Sequence, residues 1–98
     1  MPTLHIEHPI SDLETWLAAF DRFADRRVAA GVTAERIWQP AGDRHQIVLD
    51  LDFDSADQAS SFLHFLKTQV WTTPDNAPAL AGAPRTTILD AVPHPAAR

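Results

Sequence analysis

The chain predicts an α+β fold in which a four-stranded antiparallel sheet carries two helices on one face. Three observations carry that expectation. His45 to Phe53 alternates, with large apolar residues at 47, 49, 51 and 53 and polar ones at 46, 50 and 52, which is the period of a strand with one apolar side. The stretch Asp54-Ser55-Ala56-Asp57-Gln58 follows at once and opens a helix whose apolar stripe can cover that side. The order strand, helix, strand also occurs twice, giving βαββαβ over 98 residues.

Taken in order, Thr3 to His8 alternates, with Leu4, Ile6 and His8 on one side and Thr3, His5 and Glu7 on the other. Pro9 closes this strand, because it has no N–H to donate. Ser11 and Glu14 have the S-x-x-E spacing of a capping box. From there to Ala30, Leu13, Trp16, Leu17, Phe20, Phe23, Ala24 and Val28 fall on one helical face, and Gly31 ends the helix. Arg27 lies on the same face. Its stem covers apolar surface while its guanidinium reaches water, or it anchors an anion at a pocket mouth.

Ala34 to Gln39 reads as a strand with Arg36 and Trp38 on one side, and Pro40-Ala41-Gly42-Asp43 as the turn of a hairpin. The second helix is expected from about Ala56 to about Trp71, with Ala59, Phe62, Leu63, Leu66 and Val70 as its stripe and Phe65 at the edge. Thr72 to Pro84, with three prolines and little periodicity, is a long loop with one short turn around Ala77 to Leu80. Arg85 to Val92 is the last strand, and 93–98 a frayed tail. All of 1–98 is expected to form one domain.

The split βαβ order is the ferredoxin-like arrangement, and right-handed crossovers give strand order 4-1-3-2 with both helices on one face. That leaves Thr3, His5, Glu7, Gln46, Val48, Asp50 and Asp52, with Arg36 and Trp38, on the other. A chain this small hides only roughly 60 to 65% of its unfolded surface, so packing that second face against a copy of itself is favourable. A homodimer is the expected partner state.

Composition removes several classes of function. With no cysteine, disulfides and thiolate metal sites are out. A net charge of −5 repels a phosphate backbone, so no nucleic-acid partner is expected. No run approaches the ~20 apolar residues of a membrane span, and no basic-then-apolar leader opens the chain, so a cytoplasmic protein without a membrane partner is expected. At 45% hydrophobic residues the main body is not disordered.

A histidine and proline before a capping signal, a Trp-containing helix with Ala19-Phe20-Asp21, Gly31-Val32 at its end, and Ile47 to Phe53 entering Asp54-Ser55-Ala56-Asp57 before a helix ending near Trp71 together resemble the dimeric α+β barrel superfamily. Within it, the chain is most similar to the small antibiotic biosynthesis monooxygenase-like proteins. The resemblance implies a barrel formed by two sheets. It also implies an activity that, in the oxygenases, uses a polar residue on the first strand beside a substrate held by aromatic residues.

His5 and His8 are three apart on a strand, so they leave opposite faces and cannot share an ion; no metal and no cofactor is expected. His5 with Glu7, Asp50 and Asp52 forms either an acid–base group or a hydrated ion-pair network within a dimer interface. No phosphate-cradling loop or nucleophile elbow is present. The candidate site is therefore His5 and Asp50 as catalytic polar contacts, with Trp38, Phe65, Trp71 and Arg27 binding a small apolar or aromatic ligand between sheet and helices. The rival reading is a non-catalytic dimerisation or accessory module.

Overall fold

The computed structural model describes residues 1–93, so the expected tail lies, apart from Pro93, outside the described residues. The elements are β1 (Thr3–Pro9), α1 (Leu13–Arg22), α2 (Ala24–Ala29), β2 (Val32–Trp38), β3 (Gln46–Phe53), α3 (Ala56–Phe65), a π-helical turn (Leu66–Val70) and β4 (Arg85–Leu89). The sheet order is β2-β3-β1-β4 with every pair antiparallel, which is 4-1-3-2 read from the other edge. The fold is α+β and ferredoxin-like, as the alternation predicts. Among the described residues no helix is long and apolar enough to cross a membrane.

The parity of the strands decides where the core sits. Leu4, Ile6, Ile47, Leu49, Leu51 and Phe53 are all buried beneath the helices, and their neighbours on the other face are half-buried. Each large apolar side chain withdrawn from water in this way contributes about 1.5 to 3 kcal/mol. Ala59 and Phe62 of α3 and Trp16 and Ala19 of α1 meet that surface.

The first helix differs from the expectation at both ends. Its N-cap is Asp12, whose carboxylate accepts from the Thr15 amide at 2.8 Å and the Thr15 hydroxyl at 2.6 Å. Ser11 instead donates its own amide to the Ala79 carbonyl, so the expected Ser11–Glu14 box does not form. The capping box is found at the start of α3, between Ser55 and Gln58.

The expected single helix also breaks at Phe23, whose amide reaches only three residues back to Phe20. The break changes the helical phase. Ala24 and Val28, assigned by periodicity to the apolar face, are exposed, and α2 turns Arg27 inward in their place. The Arg27 guanidinium donates to the Phe20 carbonyl, which lies at the break, so the interruption leaves that acceptor satisfied. Gly31 then ends α2 at φ +97, where an added Cβ would lie 2.6 Å from the Gln58 side chain.

Two boundaries move. β2 starts at Val32, with an irregular register between Val32 and Ala34, and β4 stops at Leu89, leaving Val92 exposed. α3 widens into the π-helical turn, in which the Trp71 amide bonds to the Leu66 carbonyl at 2.8 Å. Beside it the Thr68 hydroxyl donates to the His64 carbonyl, diverting one acceptor of the helix. The loop 72–84 contains the expected turn, closed by Leu80 N–H to the Ala77 carbonyl. It is fastened to the end of β1 by Ser11 to Ala79, Ala81 to Pro9 and the Ile10–Leu80 bridge.

Candidate functional site

Between sheet and helices lies an apolar cavity with room for about 80 Å³. The sheet supplies Ile6, His8, Leu49 and Leu51; α1 supplies Trp16, Ala19 and Phe20; α3 and the π-helical turn supply Phe62, Phe65, Leu66 and Val70. Arg27 and Phe23 border one side. Trp71 and the loop residues Asn76, Ala77, Ala79 and Leu80 close another.

His8 is the polar side chain that β1 turns toward this space, and it is buried. Its Nδ1 lies 3.0 Å from the Pro9 carbonyl and its Nε2 lies 3.3 Å from the Trp16 indole Nε1. A carbonyl only accepts and an indole N–H only donates. The pair of contacts therefore fits the neutral ring with the proton on Nδ1. Burial lowers the His8 pKa and so favours the same neutral form, opposed in part by the bond to Pro9. Trp16 stacks on Phe20 at 4.8 Å between ring centroids, and Phe62, Phe65 and Phe23 continue the aromatic wall.

Arg27 is only 5% exposed. Its guanidinium lies 3.5 Å above the Phe20 ring, donates through Nε to Glu35 Oε2 at 2.8 Å and through Nη1 to the Phe20 carbonyl. The expectation that the guanidinium reaches water is therefore overturned. The side chain is held inside by a ring, a carboxylate and a carbonyl.

The six candidate residues do not form one site within the chain. Phe65, Trp71 and Arg27 border the cavity. His5, Asp50 and Trp38 lie across the sheet from it, because residues of odd position on β1 and of even position on β2 and β3 point to the other face. There the His5 ring is held between two carboxylates, Nδ1 to Asp50 Oδ1 at 2.6 Å and Nε2 to Glu7 Oε2 at 2.9 Å. These bonds, Glu7 first, raise the His5 pKa against a smaller opposing effect of burial. Trp38 donates its indole N–H to Asp50 at 3.3 Å, and Arg36 grips Asp52 with two bonds of 2.9 and 2.8 Å. With Thr3 donating as well, the Asp52 pKa falls to about 2.

His5 and Asp50 are thus polar contacts of the outer face and not of the cavity. The cavity's polar groups are His8, Trp16, Asn76, Arg27 and the Trp71 indole. The parity that put His8 beside Leu4 and Ile6 was the available signal for the first; Asn76 sits in an aperiodic loop and carried none. Among the described residues no group of three or more histidine or carboxylate side chains is arranged to hold a metal.

The connectivity, the sheet order and the two faces define a ferredoxin-like α+β protein of the kind seen among antibiotic biosynthesis monooxygenase-like proteins. A Nitrosomonas europaea protein provisionally described as an antibiotic biosynthesis monooxygenase superposes with a TM-score of 0.68 at 18% identity, over 94% of this chain and 99% of that one. A dimeric ferredoxin-like protein from an uncultured marine organism gives 0.65 at 15% identity, over 96% and 97%. An uncharacterised NIPSNAP domain protein from Burkholderia xenovorans gives 0.64 at 16%, over 100% and 99%. At these identities the likeness is one of fold. No protein-family model matches the chain, and no curated protein sequence does.

Proposed function

We propose that the protein binds a small apolar or aromatic molecule in the cavity between sheet and helices and acts on it in the manner of a cofactor-independent monooxygenase. The observation that carries the reading is the cavity itself, an aromatic-walled space in a chain of only 98 residues, bordered by a few converging polar groups. In such chemistry an electron-rich substrate supplies the electrons; one atom of dioxygen enters it as a carbonyl and the other leaves as water. Neutral His8 is the basic side chain at the cavity and would accept a substrate proton on Nε2 by exchanging its contact with the Trp16 indole.

The outer face supports a homodimer. Trp38 and Leu89 stand exposed on it beside the His5 and Asp52 networks, and a structure of the same fold is described as dimeric. Trp38, His5 and Asp50 then belong to the seam between copies. That same surface is what favours the second reading, a dimerisation or accessory module in which the seam is the function.

A thermal-shift screen with quinones, catechols, flavins and haem separates the two. Anything that binds only the folded chain raises its melting temperature. Single-ring compounds are expected to do so and haem is not, being far larger than the space. If no compound shifts melting at concentrations well above micromolar, the module reading replaces the ligand reading.

A further inference from the structure

We propose that the molecule taken up by the cavity is a single-ring aromatic carrying an anionic oxygen, a carboxylate or phenolate, and that Arg27 receives that oxygen. The inference rests on the cavity being a binding site and adds the chemical class of its occupant.

The polar groups bordering the cavity are unequally committed. The one basic nitrogen, His8 Nε2, already faces the Trp16 indole, and the Asn76 amide donates to the Gln69 carbonyl at 2.7 Å. Arg27 keeps a surplus. A guanidinium has five N–H groups, and here Nε and Nη1 have partners while Nη2 has none among the described residues. Among the described residues no fully enclosed side-chain polar atom lacks a partner, so the Nη2 edge keeps contact with open space.

Two spaces meet Arg27. One is the cavity, and the other is a shallow groove beside Val28, Val32 and Glu35. The carboxylate of Glu35 already occupies the groove side through Nε, at 2.8 Å. The guanidinium lies over one face of Phe20 and Trp16 stacks on the other, so cation and rings form one column at the wall of the cavity. An aromatic molecule seated in the cavity against the edge of that column would bring an acidic group to the cation. The charge-assisted bonds formed there are about twice as strong as neutral ones and strengthen away from water.

Size limits the rest of the molecule. About 80 Å³ is roughly half the 150 Å³ in which an apolar protein cavity holds benzene, so one ring enters only as a wall moves outward, and fused rings do not enter. The loop around Asn76 and Ala77 closes one side, and for a ring to enter there it would have to give up contacts such as that of Asn76 with the Gln69 carbonyl.

The test compares benzoate with its neutral isostere benzamide, titrated at neutral pH into the full chain labelled with ¹⁵N. Benzoate is expected to bind about tenfold more tightly or better. The indole N–H signals of Trp16 and Trp71 should move while that of Trp38, across the sheet, stays. Glu35→Gln removes the carboxylate that competes for the guanidinium, and it should tighten benzoate several-fold and leave benzamide unchanged. Equal affinities with Trp16 and Trp71 moving overturn the role of Arg27 and leave the cavity as an apolar site. Benzoate that moves only signals of α2 and β2 places the anion in the groove and overturns the proposal as well. If neither compound moves Trp16 or Trp71, the cavity reading falls with it.

Discussion

Ala19 offers a substitution whose sign depends on whether the cavity is open. It lies on α1, one turn after Trp16, is almost fully buried and borders the space between helices and sheet. Replacing it by leucine adds three carbons on a helix position that leucine suits. If they enter open space, burying them is worth about 2 kcal/mol at 0.8 kcal/mol per CH₂. Fixing the new side chain returns roughly 0.5 to 1 kcal/mol of that. Ala19→Leu should therefore stabilise the fold by about 1 kcal/mol, raising the melting temperature by about 4 to 8 °C for a domain of this size. If the space is solidly filled, the same change overpacks the core and destabilises it by about 1 to 3 kcal/mol. Urea unfolding at one fixed protein concentration reads the difference, since any dimerisation makes stability depend on concentration. A destabilised Ala19→Leu variant, or one that binds benzoate as well as the parent, would refute the account of the cavity.

Three other expectations concern charge and backbone. Asp52 has its pKa lowered to about 2 by Arg36 and Thr3, so its contribution is present above its usual 3.8 and is lost as pH falls through 2. Asp52→Asn should cost about 1 kcal/mol near neutrality after solvent screening, and the gap to the parent in acid-titrated urea melts should close over that range. His5 has a raised pKa, so its contribution is complete below 6.5 and fades as pH rises through the elevated value. Parent and His5→Gln should thus converge in alkaline melts, and a gap that widens there would contradict the Glu7–His5–Asp50 arrangement. Gly31→Ala forces a side chain into φ +97 and against Gln58, and should cost about 1 kcal/mol or more in the same assay.

The fold was legible because its decisive signal is parity. Ile47, Leu49, Leu51 and Phe53 cannot all be sheltered unless one face of the sheet is covered, and Leu4 and Ile6 repeat the demand on the neighbouring strand. Helix phase was less secure. The run from Leu13 to Val28 reads as one face only if no residue is out of register, and the break at Phe23 is stabilised by Arg27, a contact that periodicity does not encode. The N-cap slipped by one residue for a similar reason, since Ser11 and Asp12 are both good caps and the choice was made by Ala79 across the loop.

For the site, sequence reasoning found three cavity residues, Arg27, Phe65 and Trp71, and joined them to three residues of the opposite face. The strand alternation that separates His5 from His8 already contained the correction. His8 shares its side with the core, which makes it the histidine of the cavity, whereas His5 shares its side with Asp50. What no local pattern could supply is the placement of Asn76 and Ala79, which depends on how the loop is fastened at Pro9 and Ser11.

The central claim is that an open, apolar space lies between the sheet and its helices. Diffraction from crystals pressurised with xenon tests it most directly, because xenon settles in dry apolar cavities and not in close-packed cores. The account predicts a xenon peak enclosed by Trp16, Leu49, Phe62 and Trp71. Side chains closing that volume, with no xenon between them, would contradict it.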